Sequence, residues 1–80
     1  MNAKEILNKL KWDKSAEPEK CSVLYTDRIS QGLKTIPFQK IKKIEGNFFE
    51  IEENGKTSEI PVHRIREIRK ESRLIWRRGG

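Results

Sequence analysis

His63 and Arg64 stand two and three places behind Pro61. An imidazole beside a guanidinium is a donor set suited to an anion. A proline just ahead of them marks the start of a helical turn, whose first N–H groups lack partners and favour negative charge. A phosphate is the ligand such a group would take. An exposed histidine that merely occupies the position is the competing reading, and the residue types leave both open. Tyr25-x-Asp27-Arg28 is the second constellation. Tyr25 can stack on a base or donate to a phosphate, Arg28 can hold the phosphate, and Asp27 can orient Arg28 or accept from a ribose hydroxyl. A half-buried tyrosine next to a surface ion pair would read the same way. Trp12 and Trp76 are the two indoles, and in so short a chain both are expected in the core or at its rim. Trp76, between Ile75 and Arg77, also borders basic residues, where stacking a base is worth about 1–3 kcal/mol.

These residues do not assemble a catalytic set. Acid–base cleavage of a phosphodiester wants two groups titrating near neutrality or a cluster of metal ligands. The chain has one histidine and one cysteine, His63 and Cys21, too few for a zinc site. Its glycines, Gly32, Gly46, Gly55, Gly79 and Gly80, form no phosphate-cradling loop. The expectation is a binding protein with no cofactor, no metal and no catalytic residue. A ribonuclease or cyclic-phosphate hydrolase using His63 with Asp27 or Tyr25 is the minor alternative.

The elements that must position these groups are short. Residues 2–11 predict a helix: Asn2 can cap it, Glu5 completes a capping box, and Ile6, Leu7 and Leu10 share a face. Residues 14–20 predict a polar loop. Residues 21–28 predict a strand with Cys21, Val23 and Tyr25 on one side and Leu24 as a misfit. Residues 36–44, IPFQKIKKI, repeat at 60–68 as IPVHRIREI. Each copy predicts a strand ending at Ile-Pro, one helical or 3₁₀ turn with Pro in its first position, and a departing strand. A single helix over residues 61–70 fits the same isoleucine spacing. Asn54-Gly55 predicts a hairpin between residues 48–52 and 57–60, and Glu71-Ser72 a poorer turn in a second hairpin. The fold class expected is α+β: an N-terminal helix on an antiparallel sheet of about five or six short strands, with single-turn helices after Ile-Pro.

Eighty residues suit one domain, 1–80 with its core over about 3–78, that buries roughly 60–65% of its unfolded surface. The lone cysteine suits a reducing compartment, and the charged opening MNAKEILNKLKWD reads as neither signal peptide nor membrane span. A soluble, cytoplasmic protein is expected. The net charge is +6. Residues 60–80 hold seven basic side chains against two acidic, and six of the seven are arginines: Arg64, Arg66, Arg69, Arg73, Arg77 and Arg78. Arginine's planar fork matches phosphate, so this end favours a polyanion.

Taken in order, Leu10-x-Trp12-Asp13, Tyr25-x-Asp27-Arg28, Ile36-Pro37, Ile60-Pro61-x-His63-Arg64-Ile65 and Ile75-Trp76-x-Arg78 resemble the RNA cyclic-group end recognition domain, a small family with free-standing archaeal members. The resemblance runs from about residue 3 to 78. It departs at Glu71-Ser72, where the family often has a glycine. It implies recognition of RNA termini carrying a 2′,3′-cyclic phosphate, with Tyr25, Asp27, Arg28, His63, Arg64, Trp76 and Arg78 as the binding residues and an RNA-processing enzyme as a partner. Arg66, Arg69, Arg73 and Arg77 would add an electrostatic track for the RNA. A protein–protein scaffold subunit using exposed strand edges is the alternative.

Overall fold

The computed structural model describes residues 2–79. Helix α1 (Ala3–Trp12) is closed at its start by the expected box: Asn2 Oδ1 accepts from Glu5 N at 2.9 Å, and Glu5 Oε1 accepts from Asn2 N at 3.0 Å. Ala3, Ile6, Leu7 and Leu10 are buried, so the helix is held mainly by packing rather than by its about 15 Å of backbone. Lys14–Ala16 and Pro18–Lys20 are two 3₁₀ turns where a loop is expected. Between them Glu17 holds φ +54° and pairs with both Lys70 (2.9 Å) and Lys20 (3.0 Å). Hydrogen bonds from these two ammonium groups pull its carboxyl pKa down to about 2.

Among the described residues seven strands follow, in two antiparallel sheets where one was expected. They are β1 (Cys21–Thr26), β2 (Leu33–Pro37), β3 (Ile41–Glu45), β4 (Phe48–Glu53), β5 (Lys56–Pro61), β6 (Ile65–Lys70) and β7 (Arg73–Arg77). One sheet runs β2-β1-β6-β7 and the other β3-β4-β5. The Ile-Pro repeat explains the split. Each copy is a corner at which the chain leaves one sheet and enters the other: β2 turns through Phe38–Lys40 into β3, and β5 turns through Val62–Arg64 into β6. The prolines stand one place earlier than expected. Pro37 and Pro61 are the last strand residues, extended at φ −66° and −61°, and the turn begins after them.

The isoleucines three apart that also fit a helix are reconciled by a bulge. In β6 the register passes from Leu24↔Glu67 to Tyr25↔Ile65, leaving Arg66 as an extra residue. In β3 it passes from Lys43↔Glu50 to Ile41↔Ile51, leaving Lys42 extra. An inserted residue resets the strand's alternation, so Ile65 and Ile68 both point inward, as do Ile41 and, half-buried, Ile44. The bulged carbonyls find partners elsewhere: Lys11 Nζ donates to Lys42 O at 2.8 Å, and Arg78 N donates to Arg66 O at 2.9 Å.

Topologically β1 to β6 are two copies of one unit, strand–strand–corner–strand, paired reciprocally, with α1 before them and β7 after. The last strand of the first unit, β3, pairs with the first strand of the second, β4. The last strand of the second, β6, pairs back with β1. Val23, Ile36, Phe49, Ile65 and Ile68 are all but fully buried between the sheets. The helix spans the two corners: Leu10 and Lys11 flank Phe38, Gln39 and Ile41, while Asn2, Ala3 and Lys4 flank Val62 and His63.

Candidate nucleic-acid interface

The corner Val62–Arg64 distributes the principal candidates. Successive residues of a 3₁₀ turn are about 120° apart, so neighbours cannot face the same ligand. Val62 packs against the core. His63 is exposed and opens on a depression with Asn2, Lys4, Asn47 and Arg78. Arg64 turns the other way, into a cleft of about 400 Å³ between the β1–β2 and β4–β5 hairpins. The structure therefore brings Arg64 together with Tyr25, Asp27 and Arg28 and leaves His63 outside that group. It also spends the first N–H of the turn, because Val62 N donates to Asn47 O at 2.8 Å.

Each cleft residue is held differently. Tyr25 is 4% exposed, its ring edge-on to Phe49 at 6.2 Å between centroids. Its ring faces belong to the core. Burial, then the carboxylates of Glu53 and Asp27, push its hydroxyl pKa up, so the group stays a donor. Asp27 holds the hairpin turn, with Oδ2 accepting from Ser30 N at 2.9 Å and its own N–H reaching Gly32 O at 2.8 Å. Those bonds from Ser30 keep the carboxyl ionised below its ordinary range, helped by Lys34 and Arg64. Asp27 thus faces Ser30 and, at 3.9 Å, Lys34 Nζ. Arg28 is exposed at the rim.

Arg64 is the anomaly. Its Nε is closed off from solvent with no hydrogen-bond partner among the described residues. No salt bridge to it forms there either, although its side chain is only partly open. A buried N–H left without an acceptor is costly, and an anion in the cleft that accepted from it would offset that cost. Lys40, its counterpart in the first corner, is exposed.

The remaining candidates lie on β6, β7 and beyond. Arg78 caps the second corner: Nε donates to Ile65 O at 2.8 Å and Nη2 to Val62 O at 3.2 Å. Its guanidinium also lies 5.2 Å from the Trp76 ring centroid, and Trp76 packs against the core. Arg66 Nε donates to Thr26 Oγ1 at 3.2 Å, at the cleft's edge. Arg69 is paired with Glu67 at 2.7 Å, whereas Arg73 and Arg77 are exposed on β7. Several cleft residues escaped the sequence reading, Lys34, Phe48, Glu53 and Glu59 among them. Phe48-Phe49 is legible only as an apolar pair until strand alternation decides which ring is buried. Trp12 overturns its expectation outright. It is 81% exposed at the end of α1, because the helix's buried face ends at Leu10.

Residues 1–78 match the sequence model of the family described as the MJ1316 RNA cyclic group end recognition domain. The chain belongs to that family. Two similar proteins run along nearly the whole chain. A UPF0248 protein of Metallosphaera sedula is 35% identical over 78 residues, covering 98% of this chain and 94% of its own length. A UPF0248 protein of Saccharolobus solfataricus is 32% identical over 82 residues, covering 99% of each. No solved structure matches the chain. The family's description is of the recognition of RNA ends. No three metal-ligating side chains cluster among the described residues, and none of their helices is long and apolar enough to cross a membrane.

Proposed function

We propose that this recognition domain binds RNA ends and seats the terminal 2′,3′-cyclic phosphate in the cleft between the two hairpins. Arg64 is the main anion ligand, with Arg28 and Lys34 at the rim and the Tyr25 hydroxyl as a neutral donor. The observation that carries this reading is the buried Nε of Arg64, without a hydrogen-bond partner among the described residues, on a side chain that lines the cleft.

The charge of the cleft supports the cyclic form of the phosphate. Arg28, Lys34 and Arg64 are matched by Asp27, Glu53 and Glu59, so the lining is close to neutral. A cyclic phosphate is a diester with one negative charge, whereas a terminal monoester carries between one and two at neutral pH. Nearby carboxylates penalise the second charge more than the first. His63 lies on the other side of the corner and supplies no part of this site.

The test is the binding of one short RNA ending in a 2′,3′-cyclic phosphate, a 3′-phosphate or a 3′-hydroxyl. The cyclic end is expected to bind at least tenfold more tightly than the hydroxyl. Arg64→Ala removes that preference, and His63→Ala keeps it. Equal binding of all three ends by the wild type would reduce the domain to a general binder of RNA. A scaffold reading has one observation in its favour: Leu74 and Ile75 are exposed on β7, an edge strand of the four-stranded sheet. Partner strand addition at β7 would leave the Arg64 cleft unaffected.

A further inference from the structure

The cleft is larger than a phosphate needs, and its walls are not all charged. Phe48 is 47% exposed and lines it, while the adjacent Phe49 is 1% exposed in the core. Strand alternation separates the two rings: Phe49 faces the interior with Ile51, and Phe48 the opposite side. Cross-strand pairing sets Phe48 beside Pro61, the residue that opens the corner bearing Arg64. Ile29, at the tip of the other hairpin and 90% exposed, lines the same cleft. Apolar side chains exposed singly mean little, but two of them lining one cleft with Arg64 form a mixed surface. About 400 Å³ lies within the range of small-molecule sites and accommodates a whole nucleotide.

We propose that the cleft takes the terminal nucleoside together with its phosphate, with Phe48 as the face on which the base stacks. This rests on the phosphate reading of Arg64. It assigns the stacking role to a ring other than the two considered from sequence: Tyr25 is enclosed in the core, and Trp76 packs against the core beneath the Arg78 guanidinium. The carboxylates of Glu53 and Glu59, on the same β4–β5 hairpin as Phe48, also line the cleft. They accept hydrogen bonds from a base's amino or imino edge and repel a second phosphate. The nucleoside therefore lies toward the β4–β5 hairpin, and the preceding backbone phosphate leaves past Arg28 and Lys34. Stacking on a protein ring is tolerant of base identity, since every base has a π face.

Two probes separate the base from the phosphate: adenosine 2′,3′-cyclic phosphate, and methyl riboside 2′,3′-cyclic phosphate, which lacks the base. The wild type is expected to bind the adenosine compound roughly five- to 150-fold more tightly, the range that one stacked base supplies. Phe48→Leu keeps apolar bulk on a half-exposed position and removes the π face; it should bind the two probes alike. Phe48→Trp should restore the preference. Arg64→Ala should weaken both probes by the same factor. If the wild type binds both equally while Arg64→Ala still weakens them, the phosphate site stands and the nucleoside subsite is wrong. A Phe48→Leu protein that keeps the wild-type preference also overturns the assignment. Failure of the wild type to bind either probe removes the phosphate reading and this proposal with it.

Discussion

Arg78 and Arg64 show how the same side chain is spent in two ways. Both come from the basic end of the chain and both look like phosphate ligands as residue types. Arg78 has its Nε and one Nη committed to the carbonyls of Ile65 and Val62, so it fastens the end of β7 to the second corner. Arg64 has no such commitment among the described residues. Hydrogen bonds from a charged donor are worth about 1.5–3 kcal/mol, and Arg78 is partly solvated, which places Arg78→Ala near a loss of about 1–2 kcal/mol. For a chain of this size that is a fall in Tm of roughly 4–16 °C. Thermal unfolding followed by circular dichroism checks it, and an unchanged Tm would remove the capping role. Arg78→Lys should recover little, since an ammonium cannot span two carbonyls as a planar fork does. The residue types were legible in the sequence; their division of labour was not. It depends on which carbonyls lie within reach after the corner is made, and on the 120° between His63 and Arg64 in a single turn.

At the scale of the elements, most of the architecture was written in the Ile-Pro repeat, the capping box and Asn54-Gly55. That pair takes φ +53° and +76°, as a two-residue hairpin turn requires. Two facts escaped. The repeat marks crossings between sheets rather than turns within one, which only pairing partners can decide. The isoleucine spacing of three conceals a bulge, because an extra residue in a strand mimics a helical period. The turn of the last hairpin is where local preference and fold disagree. Glu71 holds φ +57° while its N–H donates to Lys20 O at 2.9 Å, which ties the hairpin to the end of the second 3₁₀ turn. A left-handed backbone costs a residue with a Cβ about 1–2 kcal/mol. Glu71→Gly relieves that strain and returns part of the gain through a more flexible unfolded chain, about 0.4–1 kcal/mol. The net expectation is a stabilisation of about 0.5–1 kcal/mol and a Tm rise of roughly 2–8 °C. A fall in Tm would mean that the Glu71 charge beside Lys20 matters more than backbone strain.

Over the whole molecule the two binding contributions separate in space and in character. The cleft is nearly neutral and shaped, whereas Arg73 and Arg77 lie exposed on β7. A phosphate contact made in water releases counterions regardless of where along the RNA it falls, and each contributes about −0.7 to the slope of log K against log salt for a single strand. Three cleft cations and two on β7 set an expected slope of roughly −2 to −3.5. Arg73→Ala with Arg77→Ala should flatten the slope by about 1.4 and weaken all RNA ends by a common factor. Arg64→Ala should flatten it by about half as much and remove discrimination between ends. Titrations of a cyclic-phosphate and a hydroxyl end between low and moderate salt measure both quantities in one experiment. A double β7 variant that lost end preference would place recognition on the sheet edge instead of in the cleft. A slope near zero in the wild type would mean that the net charge of +6 has no part in RNA binding.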